Sequence, residues 1–187
     1  KYGECEHPKH KLMKYHDYFI NNIPNDSSVL DIGCGYGTVA RSIAKKVKGV
    51  VVTGIDNDRD RLNQAKSNNH LKNLSFIFGD VLEIKNNKKY DVLVMSNILE
   101  HVEKRVDFIK KIVQSVLPEI ILIRVPLFER HWELPMRKEL RVNYFSDSTH
   151  FIEHTKEEFK KEISDAGLRI ENMEILWGEI WAKCITK

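Results

Sequence analysis

The feature that most constrains this chain is an apolar segment followed at once by three glycines at alternate positions. The apolar segment, residues 29–32, is typical of a buried strand, and a helical pattern begins at Thr38. The glycines between them are Gly33, Gly35 and Gly37. Glycine is required where the backbone turns sharply and lies against a ligand, because a Cβ atom would collide. The free N–H groups at the start of the next helix favour the negative end of that ligand.

The spacing of these glycines differs from the dinucleotide fingerprint, because Thr38 stands where the third glycine of that motif would be. In addition, Asp31 lies two positions before the first glycine. A carboxylate there would oppose a pyrophosphate, but it suits a ligand that carries an ammonium group. S-adenosyl-L-methionine has an amino-acid end with both an amine and a carboxylate, so it fits this turn better than NAD does. A NAD-binding loop and a chance glycine-rich turn remain open as alternatives at this point.

Residues 29–37 resemble motif I of the class I S-adenosylmethionine-dependent methyltransferases. The resemblance implies that Asp31 and the three glycines bind the cofactor. Residues 96–102, after the fourth predicted strand, resemble the post-strand motif of small-molecule methyltransferases, and Asn97 marks the position that faces the reacting methyl group. With the two acids described next, four motifs occur in the family order, and the resemblance spans residues 29–125.

Acidic residues end the second and third predicted strands. Asp56 ends the second strand, where a carboxylate can accept both ribose hydroxyls; a NAD enzyme would have the same acid. We include its neighbour Asn57 in the predicted cofactor site. Asp80 resembles the family's acid that accepts the adenine amino group, with Val81 beside the ring. The alternative for Asp80 is a helix N-cap or a turn residue.

Strands alternate with helices along the chain, which is the signature of a parallel sheet covered on both faces. The predicted strands are residues 29–32, 50–55, 74–78, 90–95, 120–125, 168–177 and 179–185, and the predicted helices are 11–22, 39–47, 58–69, 106–116 and 155–166. The predicted fold class is α/β: a Rossmann-like, doubly wound, mostly parallel seven-stranded sheet with an antiparallel C-terminal strand. We predict a single domain over residues 1–187, with a cover helix at 11–22 and a lid or substrate-binding insertion at 126–154.

Charge and cysteine content set wider limits on function. The formal net charge of +3 neither requires nor excludes nucleic acid as a partner. The cysteines, Cys5, Cys34 and Cys184, are odd in number and scattered, which indicates a reducing compartment, and we predict a cytoplasmic protein. No apolar run approaches the length of a membrane helix, so we expect no membrane association. The oligomeric state cannot be predicted.

Transfer to a hydroxyl requires a general base, and histidine is the residue that titrates near neutrality without a special environment. The candidates are His150, His101 and His154, with His150 preferred because it lies where the lid should return to the strand ends. Each has an alternative role as a helix cap or a surface histidine. The segment around Arg130, His131 and Trp132 could hold an anionic or carbohydrate-like acceptor, or it could be a solvated charged loop.

A metal ion is a further alternative. Ubiquinone-biosynthesis O-methyltransferases and small-RNA 2′-O-methyltransferases carry Glu-x-x-Glu-His at the positions of residues 97–101 of this chain. Some of them have a further histidine later in the sequence. This chain has Glu100 and His101, and His150 later, but Asn97 replaces the first glutamate. The replacement removes a charged ligand and weakens any Mg²⁺ site. We therefore predict that the chain holds no metal.

The predicted function is methyl transfer from S-adenosyl-L-methionine to a small metabolite or glycan precursor, at oxygen. Methyltransferases that act on the amino groups of bases or glutamine usually show an Asn/Asp-Pro-Pro-aromatic tetrad where this chain has residues 96–99, and its absence argues against that chemistry. Two alternatives remain: an RNA 2′-O-methyltransferase, and a binding protein that keeps the cofactor pocket without catalysis.

Overall fold

The computed structural model describes residues 14–83 and 89–186. Its strands are β1 (Ser28–Ile32), β2 (Val51–Asp56), β3 (Leu74–Phe78), β4 (Val92–Ser96), β5 (Ile120–Pro126), β6 (Leu168–Leu176) and β7 (Glu179–Thr186). Its α-helices are α1 (Tyr15–Asn22), α2 (Thr38–Lys46), α3 (Arg59–Ser67), α4 (Arg105–Val116), α5 (Glu133–Glu139) and α6 (Lys156–Asp165). Short 3₁₀ turns occupy Leu99–His101 and Phe128–Arg130.

One sheet contains all seven strands, in the order β3-β2-β1-β4-β5-β7-β6. The pairs among β1 to β5 are parallel, whereas β7 is antiparallel to both β5 and β6. The predicted fold class is therefore confirmed, including the antiparallel C-terminal strand. The strand order reverses between β1 and β4, and in an open α/β sheet such a switch point is where ligands bind.

Both faces of the sheet are covered, which explains why its central strands are almost continuously apolar. Side chains of β4 alternate between two cores: Val92 and Val94 enter one, and Leu93 and Met95 enter the other. Helices α1, α2 and α3 cover the first core, while α4 and α6 cover the second. No helix among the described residues is long and apolar enough to cross a membrane.

Helix ends follow the capping residues of the sequence. The Asp58 carboxylate accepts hydrogen bonds from two backbone N–H groups in the first turn of α3. Thr155 and Glu158 form a reciprocal capping box at the start of α6. The predicted cover helix begins at Tyr15 in the structure, and its predicted residues 11–13 lie outside the described part of the chain.

The connection between β5 and α6, residues 127–155, contains a short helix that the sequence pattern did not predict. This helix, α5, buries a single apolar side chain, Leu134, so it has no apolar periodicity to recognise. The end of the connection returns to the sheet: the Phe151 N–H donates to the Glu100 carbonyl at 2.8 Å, and the Phe128 N–H donates to the His154 carbonyl at 2.7 Å. These bonds hold the connection over the carboxyl ends of β4 and β5.

Candidate functional site

Three adjoining cavities lie at the carboxyl ends of the parallel strands. The aspartate cavity, about 220 Å³, is lined by Asp56, Asn57, Asp80 and Val81 among others. The glycine cavity, about 380 Å³, includes Asp31, Gly33, Gly35 and Asn97. The histidine cavity, about 440 Å³, includes Asn97, His101, Arg130, His150 and Trp177. Gly33 borders the first two cavities and Asn97 borders the last two, so the three cavities are immediate neighbours.

The three glycines of the turn all have left-handed backbone angles, with φ of +63°, +52° and +72°. A Cβ atom on Gly33 would lie 2.0 Å from Ile98 Cδ1, and one on Gly37 would lie 2.4 Å from Phe76 Cζ. A side chain at either position would therefore clash with the packed residue beside it. A Cβ atom on Gly35 would meet no described heavy atom within 4 Å. Space is therefore left beside Gly35, as expected where a ligand approaches the backbone.

Asp31 lies beneath this turn at the end of β1 and is almost completely buried, with 1% of its surface exposed. Its Oδ2 atom has no hydrogen-bond partner in the described part of the chain. Burial raises the pKa of Asp31 to about 7; a backbone hydrogen bond from Ala40 opposes the rise and the nearby charge of Asp56 adds to it. A buried acid with an unused oxygen is suited to a cationic or hydrogen-bond-donating ligand group.

Asp56 holds the glycine turn, a role that sequence reasoning did not anticipate. Its Oδ2 accepts from the Gly35 N–H at 2.6 Å, and its Oδ1 accepts from the Asp58 N–H at 2.7 Å. Each carboxylate oxygen keeps a second lone pair for a ligand. Asp80 is exposed, and its carboxylate accepts a hydrogen bond from the Leu82 N–H at 2.9 Å. This bond corresponds to the alternative role of Asp80 as a turn residue. Asp80 also lines the same cavity as Asp56.

Asn97 occupies the junction of the glycine and histidine cavities. Its backbone is left-handed, with φ of +57°, a conformation that asparagine tolerates better than most residues. Its N–H donates to the Arg124 carbonyl at 2.8 Å, which fixes the position at the end of β4. The side-chain Oδ1 is buried and accepts no hydrogen bond from the described residues. The amide is therefore available to a molecule that spans the two cavities.

Arg124 is a site residue that sequence reasoning missed. It is a buried arginine in β5 that lines the glycine cavity, and its guanidinium lies 4.0 Å from the centroid of the Tyr15 ring. Two guanidinium nitrogens bond the two carboxylate oxygens of Glu179, one of them at 2.7 Å. Glu179 in turn lines the histidine cavity. An arginine inside an otherwise apolar predicted strand was the available signal.

His101 and His150 both line the histidine cavity and contact each other edge to face, with ring centroids 4.8 Å apart. His150 Nδ1 lies 2.9 Å from Glu153 Oε1, and His101 Nδ1 lies 2.9 Å from the Thr149 hydroxyl. Burial lowers the pKa of His101, and the neighbouring His150 lowers it further. The structure thus brings two of the three predicted histidines together beside Asn97.

Glu153 is a second site residue that sequence reasoning missed, and it has no sequence signal of its own. Its side chain is fully enclosed and accepts from the Ser146 N–H and hydroxyl, both at 2.7 Å, and from Arg130 at 2.8 Å, besides contacting His150. Burial raises the pKa of Glu153, but these hydrogen bonds outweigh burial and leave it below its ordinary value. A charged, enclosed carboxylate therefore fixes the His150 ring.

His154, the third predicted histidine, is not brought to this cavity. It is completely buried, and its Nε2 lies 2.9 Å from Glu162 Oε2 of α6. Its backbone pairs with Leu127 at the start of the connection. His154 joins the connection to α6 and is not among the described residues that line the histidine cavity.

The predicted acceptor-binding segment is only partly in the cavity. Arg130 and His131 line it, but Trp132, with 72% of its surface exposed, is not among the described lining residues. Trp177, at the tip of the hairpin between β6 and β7, takes the place expected of Trp132.

Glu100, His101 and His150 form a group with ligand atoms within 4.8 Å of one another, so these residues could hold a metal ion. Glu100 is buried, and its Oε2 has no hydrogen-bond partner in residues 14–83 and 89–186. Burial raises the pKa of Glu100 to about 8. The structure thus assembles the residues on which the metal alternative rests, with an asparagine, Asn97, beside them.

A glycine turn at the switch point, with acids at three neighbouring strand ends, defines a nucleoside-binding α/β protein. A family model described as a methyltransferase domain matches residues 29–119. Together with the fold, this match identifies residues 29–119 as a domain of the class I S-adenosylmethionine-dependent methyltransferases.

Named relatives agree with this family. The chain is 34% identical over 116 residues to a ubiquinone biosynthesis O-methyltransferase of Rickettsia canadensis, covering 57% of this chain and 48% of that protein. It is 35% identical over 94 residues to a probable (S)-tetrahydroprotoberberine N-methyltransferase of Papaver bracteatum, covering 48% of this chain and 26% of that protein. The chain thus matches half or less of the length of these relatives. A SAM-dependent methyltransferase from Aquifex aeolicus shares the fold, with a TM-score of 0.75 at 15% identity over 97% of this chain and 94% of that one.

The residues present fit the cofactor of this family. The unpartnered oxygen of Asp31 and the open space beside Gly35 provide for an amino-acid end. The aspartate cavity supplies carboxylates for hydroxyl and amino groups of a nucleoside.

Proposed function

We propose that this chain transfers the methyl group of S-adenosyl-L-methionine to an oxygen atom of a small-molecule acceptor. The observation that carries the proposal is the position of Asn97, which borders both the glycine cavity and the cavity that holds His150. When bound, the cofactor supplies an already activated methyl group on a sulfonium. The protein then has to align a nucleophile with that group and to exclude water.

In this proposal the cofactor-binding residues are the nine predicted from the sequence. Asp31 holds the amine, and the turn provides backbone contact. Asp56 and Asn57 accept the ribose hydroxyls, and Asp80 with Val81 holds the adenine. The supporting observation is that eight of the nine line the aspartate and glycine cavities, which share Gly33; Gly37 lines neither cavity and packs against Phe76. The predicted set is Asp31, Gly33, Gly35, Gly37, Asp56, Asn57, Asp80, Val81 and Asn97.

His150 is the proposed general base. With Nδ1 bonded to Glu153, the other ring nitrogen, Nε2, is the one that takes the proton of an acceptor hydroxyl as its oxygen attacks. The arrangement of a base oriented by a buried carboxylate is the one that activates hydroxyls in other enzymes. His101, 4.8 Å away by ring centroid, acts as a neighbouring polar wall. His154 is left out of the proposed chemistry because Glu162 holds it inside the fold.

The choice of oxygen over nitrogen rests on the sequence at residues 96–99, which lacks the tetrad of amino-methyltransferases. The relatives include both an O- and an N-methyltransferase, so the acceptor atom has to be tested. We also propose that residues 126–154 act as a substrate-binding insertion, supported by the presence of Arg130 and His150 in the histidine cavity. Tyr15 in the glycine cavity supports a covering role for α1. A single domain and a cytoplasmic location stay predictions.

Calorimetry with S-adenosyl-L-methionine, S-adenosylhomocysteine and NADH tests the cofactor. We expect binding of the first two and none of NADH. A panel of hydroxyl and amine acceptors, assayed by release of S-adenosylhomocysteine, then tests the reaction. Tight NADH binding without a response to the sulfonium would end the proposal. Cofactor binding without turnover of any acceptor would favour the non-catalytic alternative.

A second candidate function is RNA 2′-O-methylation, favoured by one observation, the proximity of Glu100, His101 and His150. In the family resemblance, such a group occurs in small-RNA 2′-O-methyltransferases and also in ubiquinone-biosynthesis O-methyltransferases, so RNA binding itself has to be measured. Salt-sensitive binding of RNA oligonucleotides would support this candidate, because phosphate contacts release counterions.

A further inference from the structure

The histidine cavity contains no unpaired permanent cation among its described lining residues. Arg130 is the one arginine there, and no lysine in the described part of the chain lines the cavity. The Arg130 guanidinium bonds the enclosed Glu153 carboxylate at 2.8 Å and also the Ser146 hydroxyl. The charge of Arg130 is thus already balanced inside the protein, and an acceptor phosphate or carboxylate that displaced Glu153 would leave a buried carboxylate without its partner, which is strongly unfavourable.

The remaining charges in the cavity also disfavour an anion. Glu179 lines the cavity, and its carboxylate is neutralised by Arg124 from the side of the glycine cavity. Asp147 is exposed at the cavity mouth, and hydrogen bonds from the Thr149 N–H and hydroxyl lower its pKa, which keeps it negative. A bound anion would meet this carboxylate without a free counter-charge. The permanent charges therefore disfavour the anionic acceptor that the basic sequence around Arg130 had suggested as one possibility.

Trp177 provides the large flat apolar surface of this otherwise polar cavity. It is 68% exposed and has a left-handed backbone, with φ of +56°. The next residue, Gly178, is packed so closely that a Cβ atom on it would lie 2.6 Å from Arg130 Cβ. The Gly178 carbonyl also accepts from the Leu127 N–H at 2.9 Å. These contacts fix the hairpin tip against the connection and hold the exposed indole at the cavity.

We propose that the acceptor is an uncharged ring that carries hydroxyl groups, bound with one face against the indole of Trp177. This inference rests on the proposed function and names the substrate class of the same site. An indole offers a flat apolar wall at low conformational cost, and the surrounding amide, hydroxyl and imidazole groups suit the hydroxyl edge of such a ring. A sugar ring and a phenolic ring share this chemistry.

Matched pairs of probes separate charge from ring type. We would titrate the protein, saturated with S-adenosylhomocysteine, with glucose and glucose 6-phosphate, and with 1,2-dihydroxybenzene and 3,4-dihydroxybenzoate. Tryptophan fluorescence and calorimetry report binding. We expect the neutral member of at least one pair to bind at least about tenfold more tightly than its charged partner. The pair that responds identifies a sugar or a phenol.

Two tryptophans of similar exposure provide the control. Trp177→Ala should weaken binding of the neutral ring by about tenfold or more, and Trp177→Phe should restore much of it. Trp132→Ala should leave binding unchanged, since Trp132 does not line the cavity. Binding of S-adenosylhomocysteine, measured for each variant, shows that the fold and the cofactor site are intact.

Several outcomes would overturn this inference: equal or tighter binding of the charged members, equal loss in the two alanine variants, or binding of no ring to protein that still binds S-adenosylhomocysteine. Failure of the unaltered protein to bind S-adenosylhomocysteine would instead count against the proposed function.

Discussion

His150 Nδ1 lies 2.9 Å from Oε1 of Glu153, a carboxylate whose side chain is completely enclosed. The same carboxylate accepts from Ser146 and Arg130, so its position is fixed from three directions. The His150 ring is therefore oriented by a rigid group beside the histidine cavity. Asn97 lines both this cavity and the glycine cavity. A base held in this way can accept a proton without reorganisation of its surroundings.

If His150 is the base, His150→Ala should lower kcat by about 10²- to 10⁴-fold, the range expected for one general base. The dissociation constant for S-adenosylhomocysteine should change little, because His150 does not line the aspartate or glycine cavity. His131→Ala is the matched control: His131 lines the same cavity but is exposed. The measurements are kcat and the calorimetric dissociation constant for S-adenosylhomocysteine, made on both variants. An unchanged kcat for His150→Ala would show that His150 is not the base.

Two glycines allow a test of the cofactor turn in which backbone strain is held constant. Gly35 and Gly167 both have a left-handed φ, +52° and +82°, and a Cβ atom on either would meet no described heavy atom within 4 Å. An alanine at each position should therefore cost a similar amount of stability, about 1–2 kcal/mol. Only Gly35→Ala should also reduce cofactor affinity, because Gly35 lines the glycine cavity. Thermal melts and calorimetry of both variants measure this, and equal affinities would show that no ligand approaches Gly35.

The sheet was predictable because each of its determinants is local. An apolar run such as residues 90–95 is typical of a parallel sheet covered on both faces, and the structure places β4 at Val92–Ser96, with its first four residues buried. Caps such as Asp58 and Thr155 act within one helical turn, so their sequence signatures are sufficient.

The positions of the candidate site residues were predictable at strand ends and not where they depend on long-range contacts. The positions of Asp31, Asp56 and Asp80 follow from the strands that precede them. The pairings of Arg124 with Glu179 and of His150 with Glu153 depend on how β7 and the connection pack against the sheet. The same packing encloses His154 beside Glu162 and brings Trp177, rather than Trp132, to the cavity. No local pattern in the sequence contains that information.

Asp31 should link cofactor binding to proton release. Burial raises its pKa to about 7 in the unliganded protein, and an adjacent amine would favour the charged form and lower that pKa. Binding of S-adenosyl-L-methionine near pH 7 should therefore release a fraction of a proton, and affinity should rise as pH increases through about 7. Calorimetry in buffers of different ionisation enthalpy measures the proton count. In Asp31→Asn, the affinity for S-adenosyl-L-methionine should be lower and should depend less on pH. If the affinity of this variant changed with pH as steeply as that of the unaltered protein, Asp31 would not contact the amine.

Glu100 should make the protein less stable as pH rises. Burial raises its folded-state pKa from 4.5 to about 8, so between these values the folded protein binds more protons than the unfolded chain. The free energy of unfolding should fall across that window, by an amount on the order of a few kcal/mol. Glu100→Gln should remove this loss, so that its advantage over the unaltered protein is larger at pH 8.5 than at pH 5. Denaturant melts at both pH values measure the difference.

Glu171→Gln is the control for Glu100. Glu171 is an exposed acid whose pKa is lowered by Lys183, so its small contribution to stability has the opposite sign and is lost only in acid. Glu171→Gln should leave the change in the free energy of unfolding between pH 5 and pH 8.5 unaltered. A Glu100→Gln variant with the same slope as the unaltered protein would show that the carboxyl is ionised in the folded state.

Turnover should not require a metal ion, although Glu100, His101 and His150 lie close enough to hold one. The group offers one carboxylate, and burial raises its pKa to about 8, so a proton competes with a cation at neutral pH. Asn97, where the metal-assisted relatives have a glutamate, adds no charge. Protein dialysed against EDTA should keep its rate within a factor of about two, whereas in metal enzymes even the mutation of a residue that hydrogen-bonds a metal ligand typically costs about 10- to 100-fold. A loss of that larger size, restored by Mn²⁺ or Zn²⁺ in the unaltered protein but not in Glu100→Gln, would instead place a catalytic metal at this group.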